Sequence, residues 1–116
     1  MEKHKLYMLT PWMKGDEGPF YCPDCGVVEG FFIYTPQARE LVEVIEVDFP
    51  RPRPAIVAAL GQENQESPVL VLSPKLEDIP PQARKSMTTG AWFVDDPIEI
   101  CNVLGRACNG TLPHPR

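Results

Sequence analysis

The segment Tyr21-Cys22-Pro23-Asp24-Cys25 places two cysteines, separated by two residues, directly before a run of apolar residues. Four of these apolar residues recur at helical spacing, namely Val27, Val28, Phe31 and Phe32. Pro23 favours the first turn of a helix, where its missing N–H costs little. The segment therefore predicts a helix over residues 23–34 with both cysteines at its N-terminal end.

Strand and helix patterns alternate through the rest of the chain. Strand-like runs of apolar residues occupy four segments: 5–10, 41–47, 67–73 and 91–94. Proline-opened helical patterns occupy two more: 54–60 and 97–108. Residues 12–20 and 74–90 are rich in glycine and proline, which predicts loops, with weak helical character at residues 81–86. The order β-α-β-α-β-β-α predicts a single α/β domain, residues 1–116, built on a four-stranded mixed sheet covered by helices.

Size and charge narrow the classes of function. The chain has 116 residues, a hydrophobic share of 43% and a net charge of −5. A negative net charge argues against nucleic acid and against anionic membranes, since both attract positive surfaces. No apolar run approaches the ~20 residues that cross a bilayer, and the N-terminal residues do not resemble a signal peptide. We therefore expect a cytoplasmic protein in which four cysteines do not form a disulfide framework.

The two cysteines at the helix start have the arrangement required for thiol–disulfide exchange. A helix N-terminus carries partial positive charge, which favours a thiolate on Cys22 and makes it the predicted nucleophile. Cys25, one turn further along, is the predicted resolving thiol. Asp24 and Glu29 add negative charge nearby, which predicts a moderately reducing pair rather than a strong oxidant.

A zinc site is the competing interpretation of the two cysteines. Zinc usually takes four ligands, and the remaining candidates are Cys101, Cys108, His4 and His114. Cys101 and Cys108 lie seven residues apart on a predicted helix, which separates their Cα atoms by ~10.5 Å. We interpret both as small apolar residues on the core face of that helix and predict no metal site.

The chain resembles the thioredoxin superfamily, and within it the glutaredoxins most closely. The resemblance is carried by Tyr21–Cys25 after the first strand and by Ser67-Pro68 before the apolar run 69–72. It implies a cis Pro68 that faces Cys22, with Tyr21, Pro23 and Ser67 among the substrate contacts. The chain also resembles a bacterial family of unknown function with this fold, through residues 51–53 and 60–65.

The same resemblance implies sites for glutathione, each with an alternative interpretation. Asp95 and Asp96 correspond to the position that binds its γ-glutamyl end, but Asp96 also suits a helix N-cap with Glu99 three residues later. Arg53 corresponds to a residue that meets the glycine carboxylate, but it also fits a solvated charged loop. Tyr21 fits either the site or the core, and Pro68 also fits a simple strand start.

Three functions remain open from the sequence. The first is a thiol–disulfide oxidoreductase that acts on protein disulfides or glutathione mixed disulfides, with no resident cofactor and with glutathione as a possible co-substrate. The second is a non-catalytic thioredoxin-fold module that binds a peptide or protein beside Pro68. The third is a zinc-binding structural protein. The sequence predicts no oligomeric state.

Overall fold

The computed structural model describes residues 2–115; Met1 and Arg116, the two ends of the predicted domain, lie outside this range. The strands are β1 (His4–Leu9), β2 (Trp12–Lys14), β3 (Glu17–Phe20), β4 (Val42–Val47), β5 (Val69–Val71), β6 (Arg84–Lys85) and β7 (Trp92–Val94). The helices are α1 (Pro23–Tyr34), α2 (Pro54–Leu60) and α3 (Pro97–Ala107), with a 3₁₀ helix at Pro36–Leu41. The chain is therefore α/β, as predicted.

Five strands form one mixed sheet in the order β4-β1-β5-β7-β6. β1 is parallel to β4 and antiparallel to β5, and β7 is antiparallel to both of its neighbours. The predicted count of four strands is wrong because Arg84–Lys85 adds an edge strand to β7. The weak helix expected at residues 81–86 is therefore not formed. The strand that replaces it is only two residues long, and its pairing with β7 stabilises it rather than the β propensity of its own residues.

Residues 12–20 form a hairpin instead of the predicted loop. β2 and β3 pair antiparallel around a two-residue turn in which Gly15 adopts a φ of +61°, a conformation that glycine tolerates. The Trp12 ring stacks on that of Phe49, with ring centroids 4.2 Å apart. The glycine and proline residues of this segment are typical of loops, so the sequence does not indicate strands here. The stacking of Trp12 on the distant Phe49 stabilises the hairpin.

The sheet is covered on both faces. Along β1, Leu6 and Met8 face α1 and α3, whereas Tyr7 faces α2. The buried residues of β5 alternate in the same way, which explains its uninterrupted apolar sequence. None of the helices formed by residues 2–115 is long and apolar enough to cross a membrane. The two-sided core fixes the start of α1 at the end of the sheet where β1 finishes.

Candidate functional site

Cys22 is the N-cap residue of α1. Its backbone is extended, with φ −74° and ψ 112°, and its Sγ accepts a hydrogen bond from Cys25 N at 3.1 Å. Pro23 occupies the first helical turn, as predicted. A thiol thus takes the place that serine or aspartate usually fills, where the free amides and partial positive charge of the helix end favour a negative sulfur atom.

Ser67 and Pro68 lie beside the two cysteines, although 45 residues separate Ser67 from Cys22. The Ser67–Pro68 peptide bond is cis. Cys22 Sγ lies 3.9 Å from Ser67 O, and Cys25 Sγ lies 3.9 Å from Ser67 Oγ. Ser67 Oγ in turn donates to Tyr7 O at 2.9 Å, which ties the segment to β1. The structure therefore brings Ser67 beside both cysteines, and the contact of Pro68 itself with Cys22 stays a prediction.

The two thiols are free and mostly buried. Cys22 is 7% exposed and Cys25 is 6% exposed. Burial, followed by the hydrogen bond between the two side chains, raises the pKa of Cys25 to about 12. Cys25 is therefore a neutral thiol at neutral pH, and only a base within reach can turn it into a nucleophile.

A groove of about 610 Å³ opens beside the cysteines. Residues of β1, of β4 and of the first turns of α1 form its walls. The lining side chains include Met8, Leu9, Tyr21, Glu29, Val44 and Glu46. Tyr21 is 71% exposed, so the interpretation that it fills the core is wrong. Val44 and Glu46 had no signal in the sequence, because only the pairing of β4 with β1 brings them here.

Arg53 is 6% exposed and does not lie in a solvated loop, which corrects that interpretation. Its Nε and Nη2 atoms donate to Phe49 O at 3.0 and 2.8 Å, and Nη1 donates to Gln65 O at 2.7 Å. Burial and then the charge of Arg51 lower the pKa of Arg53, while the cysteines act in the opposite direction. Each guanidinium nitrogen is thus bonded to the protein backbone near the two cysteines.

Asp95 and Asp96 are both bonded within the protein. Asp96 Oδ1 accepts from Glu99 N at 3.0 Å, which makes it the N-cap of α3, as its alternative interpretation predicted. Asp95 Oδ2 pairs with Arg84 Nη2 at 2.5 Å. Asp96 also lines a separate groove with Asp24, and neither Cys22 nor Cys25 contributes to that groove. Binding of a γ-glutamyl group by these aspartates stays a prediction.

Cys101 lies on α3, and Cys108 is the C-cap residue that follows this helix. Cys101 is buried in the core, and Cys108 donates to Gly105 O at 3.7 Å. His4, a candidate ligand in the zinc interpretation, accepts a hydrogen bond from Ser73 N through Nδ1 at 2.8 Å. Within residues 2–115 no group of three or more histidine, cysteine, aspartate or glutamate side chains is arranged to hold a metal ion.

Stability is expected to fall at alkaline pH because of Cys101. Burial raises the pKa of Cys101 to about 11, whereas an unfolded thiol titrates near about 8.5. Above that lower value the unfolded state loses its proton first, so the free energy of unfolding decreases until the pH reaches the folded pKa; below it this thiol contributes no pH dependence. Urea titrations should show wild type losing roughly 1–2 kcal/mol more than Cys101→Ala on going from pH 8.5 to pH 10. Parallel profiles would contradict this.

Comparison with known proteins identifies a family but no activity. No curated protein and no solved structure matches the chain. A family model described as "Protein of unknown function (DUF3088)" matches residues 3–112, which is nearly the whole chain and includes both cysteines and Ser67-Pro68. The chain therefore belongs to the DUF3088 family of proteins of unknown function.

Proposed function

We propose that this protein is a thiol–disulfide oxidoreductase in which Cys22 and Cys25 form the reactive pair. The observation that carries the proposal is the position of the reduced pair: Cys22 Sγ lies at the N-terminus of α1, next to the groove and to Ser67 O. A nucleophilic thiolate needs a positive environment and access to a substrate, and the helix end and the groove supply them.

We further propose that the fold is thioredoxin-like with one added edge strand. Strands β4, β1, β5 and β7 form a four-stranded mixed sheet by themselves, and β6 extends it at one edge. The two cysteines lie at the N-terminal end of α1. The cis Ser67–Pro68 peptide bond lies beside them and directly precedes β5. These features support the resemblance noted in the sequence.

The reaction would proceed by two exchanges. The Cys22 thiolate attacks one sulfur of a substrate disulfide, which forms a mixed disulfide and releases the other substrate sulfur as a thiolate. That thiolate takes the proton of Cys25, whose raised pKa keeps it protonated until then. Cys25 then attacks the Cys22 sulfur, which closes the Cys22–Cys25 disulfide and releases the second substrate sulfur as a thiolate that takes a proton from solvent. The substrate thus gains two electrons from the protein, one proton from Cys25 and one proton from solvent.

The substrates proposed for this site are protein disulfides or glutathione mixed disulfides, with no resident cofactor. A reducing compartment such as the cytoplasm suits four free thiols, because its thiol pool would return the oxidised pair to the dithiol form. Reduced glutathione or a protein dithiol would then be the electron donor.

A redox titration tests the proposal. The protein is equilibrated with defined thiol and disulfide mixtures, and the remaining thiols are labelled and counted by mass spectrometry. We expect Cys22 and Cys25 to lose their labels together in one two-electron transition while Cys101 and Cys108 stay labelled. The midpoint should lie between about −200 and −270 mV rather than near the −120 mV of strongly oxidising periplasmic enzymes. Independent oxidation of the two residues, or none, would contradict the proposal.

Burial of both thiols favours a second candidate, a binding module without turnover. Little of either sulfur-bearing side chain is open to solvent, and the groove would accommodate a peptide even if the dithiol stayed inert. In this case the titration would show no paired oxidation over the physiological range of potentials, whereas a peptide would bind equally well to wild type and to Cys22→Ser.

A further inference from the structure

The charges around the dithiol point to a particular class of substrate. Both charged side chains that line the groove are carboxylates, Glu29 and Glu46, and no lysine or arginine of the described chain contributes to its walls. Asp24, which is exposed, lies between the two cysteines in the sequence. An anionic surface next to a reactive group concentrates cationic partners and repels anionic ones.

Nearby arginines only partly compensate for these carboxylates. Arg39 Nη2 lies 2.8 Å from Glu29 Oε1 and neutralises that residue. Arg53 donates to backbone carbonyls, and Arg51 pairs with Glu66 at 3.6 Å. Across residues 2–115 no ion pair involves Glu46. Glu46 is therefore the groove carboxylate whose charge remains available to a substrate.

The remaining walls of the groove are apolar. Met8 and Leu9 come from the end of β1, and Val44 and Tyr21 are exposed large side chains at the rim. Solvent-exposed apolar side chains beside a reactive site gain free energy when a partner's apolar group covers them. The groove thus combines a surface for an apolar side chain with a site for a positive charge.

We propose that the dithiol acts on a polypeptide disulfide flanked by an apolar residue and a lysine or arginine, and discriminates against glutathione. This proposal rests on the proposed function, whose substrate class it narrows. Glutathione has a net negative charge, because its carboxylates outnumber its single amino group. The carboxylate of Glu46 would therefore repel it. The resemblance assigned Asp95, Asp96 and Arg53 to glutathione. These residues are already bonded to Arg84, to Glu99 N and to backbone carbonyls, respectively.

Single-turnover reduction tests the proposal without an electron donor. The fully reduced protein is mixed with one of two short peptides, each closed by an internal disulfide and differing only in whether lysine or glutamate flanks a common leucine. Oxidised glutathione is the third substrate. At low ionic strength we expect the lysine peptide to react roughly tenfold faster than the glutamate peptide and faster than glutathione disulfide. Added salt should reduce this ratio.

Glu46→Gln is the decisive variant, and Glu43→Gln is its matched control. Both residues are exposed on β4, but their odd separation puts them on opposite faces of the sheet. We expect Glu46→Gln to slow the lysine peptide three- to fivefold and to speed the glutamate peptide, while Glu43→Gln leaves the ratio of the two rates unchanged. Equal rates for both peptides, or a preference for glutathione, would contradict the proposed substrate class but not the proposed oxidoreductase function. No reaction with any of the three would overturn the proposed function itself.

Discussion

Cys22→Ser is expected to lower the rate of disulfide reduction by about three orders of magnitude, the largest change that any single substitution in this protein should cause. A serine hydroxyl at the N-cap of α1 still accepts a hydrogen bond from Cys25 N, so the fold should remain intact. The hydroxyl is a much weaker nucleophile than a thiolate and forms no mixed disulfide. The measurement is the single-turnover rate with the lysine peptide.

Cys25→Ser should give a different defect. Cys22 would still attack the substrate, but no second thiol would resolve the product, and a mixed disulfide between Cys22 and the peptide should accumulate in stoichiometric amounts. Intact-protein mass spectrometry detects this species directly. Cys101→Ser is the control, because Cys101 faces the core from α3 and should neither trap peptide nor slow turnover. Peptide trapped on Cys25 in the Cys22→Ser protein would reverse the assigned roles.

The positions of the two cysteines were predictable because their signals are local. The positions of Cys22, Pro23 and Cys25 relative to the helix depend on one turn of chain, and α1 begins and ends within the predicted bounds. The proximity of Ser67 to Cys22 was not predictable from local signals. No spacing or periodicity relates residues so far apart, and only the resemblance to a known superfamily supplied that expectation.

The walls of the groove were not predictable in the same way. In the sequence, Glu46 is an ordinary exposed residue of a strand with alternating polarity. It lies near the cysteines because β4 pairs with β1 in parallel register. Likewise β6 is only two residues long, so its strand character comes from β7 rather than from its own residues. Pairing between distant segments therefore determines the charge and shape of the groove, whereas the local sequence determines where the two cysteines lie.

Arg53 shows the same limit and carries the second large prediction. In the sequence it is a charged residue among prolines, which suggested solvent or an anionic ligand. In the structure its guanidinium joins the Phe49 and Gln65 carbonyls, and so ties the start of α2 to the segment that leads into Ser67. A planar group with several donors in fixed directions makes this bridge, and a lysine ammonium would not reproduce it.

Arg53→Met is expected to lower the free energy of unfolding by about 3 kcal/mol. Methionine keeps the apolar stem but removes the charged donors from the part-buried hydrogen bonds to Phe49 O and Gln65 O. A hydrogen bond to a charged group contributes roughly 1.5–3 kcal/mol. Arg51→Met is the matched control: its guanidinium is half exposed and forms a surface ion pair with Glu66. That substitution should cost less than about 1 kcal/mol.

Urea unfolding of the two variants separates a structural role for Arg53 from a ligand-binding one. If Arg53 mainly served to bind a carboxylate of glutathione, Arg53→Met would retain wild-type stability and would lose only its activity towards glutathione. A large loss of stability, together with slower reaction of the lysine peptide, would instead show that Arg53 positions the Ser67 segment against Cys22. The reactive pair would then depend on a buried cation that no substrate touches.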